Sequence, residues 1–181
     1  KNPCKIHVNM GILGQIFLPL AIETGLILPI GEWLYTQACQ QALQWQLERP
    51  GVVVAIHLSE PEFLRADLAA VLTQALVLSG LAPALLEIEI DEAMAMKDAA
   101  RTESVIHAIS RLGLRVVLDE FGSGQSNLLS LRRLAVTALQ IDRSLVKHCI
   151  TDPDLQAVIK AIAASARALD LGLSAKGVET A

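Results

Sequence analysis

Short apolar runs rich in β-branched residues alternate with longer amphipathic segments along the chain. The runs show little polar alternation, which is typical of strands that are buried on both faces. The predicted strands lie at 52–58, 85–90, 115–119, 138–142 and 173–178. The segments between them have the apolar spacing of helices. The predicted helices lie at 31–48, 62–79, about 94–112, 126–134 and 153–169.

Repeated strand–helix–strand units predict an α/β fold with a parallel sheet and right-handed crossovers. An open doubly wound sheet and a TIM-like barrel both satisfy this pattern. No Gly-x-Gly-x-x-Gly element opens the first strand–helix unit, so the fingerprint of a dinucleotide-binding sheet is absent. Neither an internal repeat nor a linker interrupts the pattern, and we expect residues 1–181 to form a single domain.

The composition narrows the classes of partner. The formal net charge is −4 and no dense Lys/Arg run is present, which argues against a polymeric nucleic acid. Three cysteines, odd in number and far apart, indicate neither a disulfide framework nor a cysteine metal site, so a reducing cytoplasmic setting is expected. The apolar stretch 11–30 contains Glu23, Pro19 and Pro29, and we therefore expect no membrane span in it, although a parent protein can still be membrane-anchored.

Acidic side chains gather where the predicted strands end. Glu89 closes the second predicted strand, Asp119 and Glu120 the third, and Asp142 the fourth. Functional groups of parallel sheets and barrels lie at these carboxyl ends. Clustered carboxylates suit Mg²⁺ or Mn²⁺, so a metal or phosphate site is one interpretation. Structural roles remain open: Asp142 can pair with Arg143, and His57 can be an ordinary structural histidine.

Several segments of the chain resemble motifs of the EAL domain family and occur in the same order as those motifs. The segment 17–26 with its continuation at 29–33 is similar to the family's entry segment. Further along, AIHLS at 55–59 resembles VNLS, LEIEIDE at 86–92 resembles LELEITE, LDEFGSG at 118–124 resembles LDDFGTG, LQIDRS at 139–144 resembles LKIDRS, and AKGVET at 175–180 resembles AEGVET. These matches cover nearly the whole chain.

The resemblance implies a TIM-like (β/α) barrel that uses Mg²⁺ or Mn²⁺ to cut cyclic di-GMP to linear pGpG. It assigns Glu89, Asp119 and Glu120 to the metal site. For the nucleotide, the ligand-binding positions it implies are Glu89, Asp119, Glu120, Asp142, Lys176 and Glu179. It also implies that the loop after the acidic pair takes part in dimerisation, and this loop contains Phe121, Gly122, Ser123, Gly124, Gln125 and Ser126.

The chain departs from the family at positions that matter for catalysis. The Glu-Ala-Leu triplet is absent from residues 1–15. His57 replaces a metal-binding Asn, Glu120 an Asp, Gln140 the active-site Lys, and Lys176 a Glu. A full barrel of this class takes about 250 residues, so we expect the barrel to be incomplete at both ends of these 181 residues.

These departures predict that hydrolysis is lost. An imidazole at His57 is a poor ligand for Mg²⁺, and a cation at Lys176 opposes a dication. Three functions remain open: a module that binds cyclic di-GMP without cutting it, a module that binds a protein partner or a second copy, and an active phosphodiesterase that uses another metal, with His57 recruited for Mn²⁺. If the metal site is lost, no cofactor is expected.

Overall fold

The structure is a computed structural model that describes residues 5–7, 11–123 and 131–178. It contains short parallel strands that alternate with helices. The strands are β1 (Lys5–His7), β2 (Val53–His57), β3 (Leu86–Asp91), β4 (Arg115–Phe121), β5 (Ala138–Ile141) and β6 (Gly172–Ala175). The helices are α1 (Gly11–Glu23), α2 (Ile27–Glu48), α3 (Glu60–Leu64), α4 (Leu68–Ser79), α5 (Glu92–Lys97), α6 (Ala99–Arg111), α7 (Arg143–His148) and α8 (Pro153–Ala168).

The predicted strands are all present, each within a few residues of its predicted bounds. Strand β1 was not predicted, because three residues give too short a pattern to count. The helix predicted at 126–134 falls mostly outside the described residues. The structure begins the second helix earlier than predicted, at Ile27, and adds α1 before it.

Two helices predicted as continuous are interrupted, so those predictions were wrong in their bounds. The segment 62–79 divides into α3 and α4, because Arg65 takes an extended backbone and its guanidinium binds Asp67 Oδ1 at 2.7 Å and Glu32 Oε1 at 2.7 Å. The segment 94–112 divides at Asp98, whose Oδ1 accepts a hydrogen bond from the backbone N–H of Arg101 at the start of α6. The first break coincides with these ion pairs of Arg65, and at the second the Asp98 side chain competes with the helix for a backbone group.

The chain divides into two compact units. The first unit comprises residues 1–88 and 111–115, and the second comprises 89–110 and 116–181. The boundary passes through β3, so the strand order is β1-β2-β3 in the first unit and β3-β4-β5-β6 in the second. The prediction of one domain over 1–181 stays a prediction.

The first unit is built around β2, which is buried on both faces from Val53 to Ile56. Strand β1 runs parallel to it, with Lys5 opposite Val53. Helices α2 and α4 pack on each other. The buried face of α2 follows the helical spacing i, i+3, i+4, i+7, because Tyr35, Ala38, Cys39 and Ala42 share one side.

A buried carboxylate holds the loop after β2 in the first unit. Glu62 is 4% exposed, and its Oε2 accepts hydrogen bonds from the backbone N–H and the hydroxyl of Ser59, which form a capping box at the start of α3. Its Oε1 accepts the hydroxyl of Tyr35. Burial and the neighbouring Glu62 charge raise the pKa of Tyr35, so the phenol stays a donor. A side chain at Gly31 would collide with this carboxylate.

The second unit places β5 between β4 and β6, and both neighbours run parallel to it. Leu118 lies opposite Leu139, and Leu139 lies opposite Leu173. Helix α8 packs on β5 and β6 with Ile162 and Ala166 buried. The parallel α/β pattern predicted from the sequence is therefore present. Across the described parts of both units, the helices are too short or too polar to cross a membrane.

The Tyr35–Glu62 contact gives a stability prediction. Replacing Tyr35 with Phe leaves Glu62 Oε1 buried without its donor, and we expect the free energy of unfolding to fall by about 1–3 kcal/mol. Chemical denaturation followed by circular dichroism measures this change. The exposed neighbour Gln37, replaced by Ala, serves as the control and should change stability by less than about 0.5 kcal/mol. Equal stability of the two variants would contradict a structural role for the contact.

Candidate functional site

A bulge in β4 sets the geometry of the acidic pair. Between the pairs Leu118–Leu139 and Phe121–Ile141, two residues of β4 face one residue of β5. Those residues are Asp119 and Glu120 on β4 and Gln140 on β5. Glu120 takes a left-handed backbone with φ of 54°, which is uncommon for a residue with a side chain. Bulges turn side chains away from their regular alternation, so Asp119 and Glu120 differ in surroundings although they are adjacent.

Asp119 is fully buried, at 0% exposure, and the chain's own donors surround it. Its Oδ1 accepts hydrogen bonds from Gln140 Nε2 at 2.9 Å and from the backbone N–H of Glu120 at 2.7 Å. Its Oδ2 forms an ion pair with the ammonium of Lys176. A carboxylate oxygen offers two lone pairs. Two donors therefore occupy Oδ1, and a full positive charge neutralises Oδ2.

Gln140 bridges the two buried acids of the second unit. Its amide nitrogen points to Asp119 and, at the long limit of 3.5 Å, to Glu89 Oε1, while its amide oxygen accepts the Ser174 hydroxyl at 3.2 Å. The reverse orientation would place its oxygen against carboxylate oxygens, so the hydrogen-bond pattern fixes the amide. A neutral amide thus stands where the family pattern has a lysine. Its N–H groups donate to the carboxylates of Asp119 and Glu89.

Lys176 follows β6 at its carboxyl end. Its backbone N–H donates to the carbonyl of Ile141 at 3.2 Å, which extends the β5–β6 ladder by one step. The next residue, Gly177, has φ of 79°, and a Cβ there would lie 2.5 Å from Cγ of Arg143. The chain therefore turns tightly just after the lysine, and the side chain of Lys176 is directed from a fixed backbone toward Asp119 while 40% of it remains open to solvent.

Glu120 is exposed, and its surroundings disfavour its charge. Partial burial, followed by the charges of Asp91, Asp119 and Asp142, raises the pKa of Glu120 above its usual range, while Lys176 acts in the opposite direction. The strand ends of the second unit thus carry an excess of negative charge outside the Asp119–Lys176 pair. An anionic ligand that approaches these strand ends is therefore repelled unless a cation there neutralises part of the negative charge.

Glu92 ends the LEIEIDE segment that resembles LELEITE, although it was not among the metal or ligand positions assigned from the sequence. It is 1% exposed at the start of α5, and its Oε2 accepts the backbone N–H of Gly122 at 3.0 Å. Its Oε1 is buried and has no hydrogen-bond partner among the described residues. Glu92 therefore anchors the turn after the β4 bulge. The available signal was an acid directly after a buried strand, at the first position of a helix.

One predicted site residue, Asp142, has a structural role. Asp142 is the N-cap of α7, where its Oδ1 accepts the backbone N–H of Ser144 at 2.8 Å. In the first unit, His57 is exposed at the end of β2. Within that same unit Glu87 is buried and pairs with Lys5 and with Arg115, so it is a structural acid.

The predicted dimerisation loop and the last ligand position are only partly described. Phe121 is buried in β4 and belongs to the core of the second unit, whereas Ser123 is exposed. Gly122 has φ of 92° and lies close to Leu145 and Ile162, so a side chain would not fit there. The remaining loop residues, Gly124, Gln125 and Ser126, and also Glu179, lie outside the described residues.

The contacts of Asp119 within the second unit do not favour a divalent metal. Mg²⁺ and Mn²⁺ need carboxylate oxygens that are open to them. At Asp119, hydrogen bonds saturate one oxygen and an ammonium neutralises the other. A dication about 4 Å from an ammonium is repelled by about 8 kcal/mol at an effective dielectric constant near 20. The Mg²⁺ or Mn²⁺ expected from the sequence resemblance therefore has no suitable donor set at Asp119.

Comparison with known proteins identifies the relatives of this chain. The profile of the EAL domain matches residues 7–181. The chain is 39% identical over 96% of its length to the bifunctional diguanylate cyclase/cyclic di-GMP phosphodiesterase MucR of Pseudomonas aeruginosa, of which it covers 26%. It is 32% identical over 91% of its length to the cyclic di-GMP phosphodiesterase PdeR of Escherichia coli, of which it covers 25%.

Solved structures agree with the sequence matches. A structure described as PaMucR phosphodiesterase in complex with c-di-GMP superposes with a TM-score of 0.86 at 38% identity, and the match covers 92% of this chain and 68% of that one. The fold class predicted from the sequence, an α/β fold of the TIM-like EAL type, is confirmed by this likeness. The chain spans about a quarter of the length of the two curated relatives.

The surroundings of Asp119 and Glu120 predict opposite responses to neutralisation. Replacing Asp119 with Asn leaves the Lys176 ammonium without its counter-charge, and we expect the free energy of unfolding to fall by about 1–3 kcal/mol. Replacing Glu120 with Gln removes a charge that its neighbours repel, and we expect stability to stay constant or rise. Urea unfolding in the presence of EDTA measures both variants.

The pair of variants distinguishes this site from a vacant metal site. In a cluster of unpaired acids, removing either charge relieves repulsion and raises stability. A gain in stability for Asp119→Asn would therefore contradict the ion pair with Lys176.

Proposed function

The chain belongs to the EAL domain family, and from that premise we propose that it binds cyclic di-GMP without hydrolysing it. The proposed lack of hydrolysis rests first on the saturation of Asp119 by Gln140, the Glu120 backbone and Lys176. Phosphodiesterases of this family use divalent metals. A carboxylate already held by the chain's own donors is a poor place to bind one.

Loss of a catalytic cation supports the same conclusion. Gln140 stands where the family motif has a lysine, and its amide hydrogens are engaged by Asp119 and Glu89. A neutral amide provides less stabilisation of developing charge on a phosphate than an ammonium does. Both the metal site, through Lys176, and the cation that would assist it, through Gln140, are therefore altered, and both of these side chains contact Asp119.

Retention of ligand binding is supported by the charge at the strand ends. Lys176 keeps 40% of its side chain exposed at the carboxyl end of β6, where ligands of parallel α/β folds bind. A partly neutralised ammonium still attracts a phosphodiester. The MucR structure to which this chain is similar is described as a complex with c-di-GMP, which makes cyclic di-GMP the ligand to test first.

Calorimetric titration of the protein with cyclic di-GMP, followed by chromatography of each mixture, tests the proposal. We expect a saturating heat signal whose dissociation constant is the same in Mg²⁺, in Mn²⁺ and in EDTA, and we expect only intact nucleotide afterwards. The affinity should be independent of metal because Lys176, and not an ion, neutralises the site.

Two results would contradict the proposal in different ways. Linear pGpG in the Mg²⁺ or Mn²⁺ mixture would show an active phosphodiesterase. Absence of heat and of turnover would exclude nucleotide binding and would favour the protein-interaction alternative. GTP serves as the ligand control, and the variant Lys160→Met, which removes an exposed charge on α8, controls for nonspecific attraction of an anion.

A further inference from the structure

The contacts of Lys176 suggest more than a structural ion pair. We propose that its ε-ammonium is a tethered replacement for a divalent cation: it excludes metal from Asp119 and presents the positive charge that a phosphodiester ligand meets. The exclusion of metal rests only on the geometry of the second unit. The contact with a phosphodiester deepens the proposed function and rests on it.

The ammonium of Lys176 stands where a metal would have to bind. It lies against Oδ2 of a carboxylate that is fully buried, and Gln140 and the Glu120 backbone occupy the other oxygen. A divalent cation bound to the same carboxylate oxygen would lie within a few ångströms of the ammonium and be repelled by it. The ammonium thus occupies the place and satisfies the charge that a metal would require.

The backbone of Lys176 is held in a fixed position. The hydrogen bond from its backbone to Ile141 and the tight turn at Gly177 against Arg143 direct the residue from a fixed point. Gln140 extends the same arrangement, since it donates to Asp119 and accepts from Ser174, which precedes Lys176 by two residues on the same strand face. Three consecutive strands of the second unit therefore contribute to one polar network.

The ammonium of Lys176 still has positive charge and N–H donors that a ligand can meet. An ammonium has three N–H donors, and Asp119 takes one of them while much of the side chain stays open to solvent. Asp91, Asp142 and Lys176 all lie close enough to Glu120 to interact with it electrostatically, so further acids stand near the ammonium. A phosphodiester approaching these acids is repelled unless it meets Lys176.

The exclusion of metal is tested with Mn²⁺ alone, measured as the loss of the electron paramagnetic resonance signal of free Mn²⁺. We expect no uptake by the wild-type protein and uptake by the Lys176→Glu variant, whose affinity should be at least about tenfold higher. Lys176→Arg keeps the charge and should behave as wild type. Lys160→Glu adds an acid on exposed α8 and controls for nonspecific uptake.

A second variant covers the case in which two adjacent acids prevent Lys176→Glu from folding. Lys176→Met removes the charge without adding another, and we expect weaker uptake than in Lys176→Glu but more than in wild type. Uptake by wild type equal to that of the variants would overturn the exclusion of metal. Lack of uptake by every folded variant at position 176 would overturn it as well.

The nucleotide contact is tested by calorimetry with cyclic di-GMP in EDTA. We expect Lys176→Met to weaken binding roughly 10- to 100-fold, as loss of a charge-assisted hydrogen bond does. Lys176→Arg and Lys160→Met should stay within about threefold of wild type. Unchanged affinity in Lys176→Met would overturn this contact. If wild type binds no cyclic di-GMP, the proposed function and this contact fail together, while the Mn²⁺ result still decides whether Lys176 excludes metal.

Discussion

A buried carboxylate requires a partner of opposite charge, and at Asp119 the protein supplies that partner from its own chain. The ion pair with Lys176 links β4 to the end of β6, and Gln140 on the strand between them completes the contact. An isolated charge of this kind is strongly unfavourable in a protein interior. The nearest polar side chains follow from this requirement, because Gln140 donates to Asp119 and the charge of Asp119 repels that of Glu120.

The same constraint explains why the departures from the family pattern belong together. Lysine at 176 brings a charge to Asp119, and an additional ammonium at position 140 would face it across the same carboxylate. Glutamine at 140 avoids that repulsion and still donates to Asp119 and Glu89. The two positions therefore have to be considered as a pair, with the catalytic cation of the family replaced by an amide and the metal-binding acid replaced by a cation.

Most of the fold was predictable because buried parallel strands have a simple signature. Most residues of β2 and β4 are buried, although the side chains of a strand alternate between its two faces, so hydrophobicity alone marks these runs. The helix breaks at Arg65 and Asp98 were not predictable in this way, since they depend on side chains that bind backbone or distant groups. Strand β1 was missed because a pattern of three residues carries too little information.

The sequence predicted which residue types occur at the site and at which strand ends they lie. It predicted less about the contacts that these residues make. Sequence motifs identified Gln140 and Lys176 as departures, and alternation along β6 would have placed Ser174 on the same side as Lys176. The bulge at Asp119 and Glu120 was not visible, because it is defined by the register of β4 against β5. That bulge separates a buried, paired acid from an exposed, repelled one, which no motif distinguishes.

The most direct test of a tethered cation at Asp119 is anomalous diffraction at the manganese edge from crystals grown with cyclic di-GMP and Mn²⁺. If Lys176 replaces the metal, we expect nucleotide phosphate next to its ammonium and no anomalous peak within coordination distance of Asp119. A manganese peak bound to Asp119, with Lys176 displaced into solvent, would contradict it.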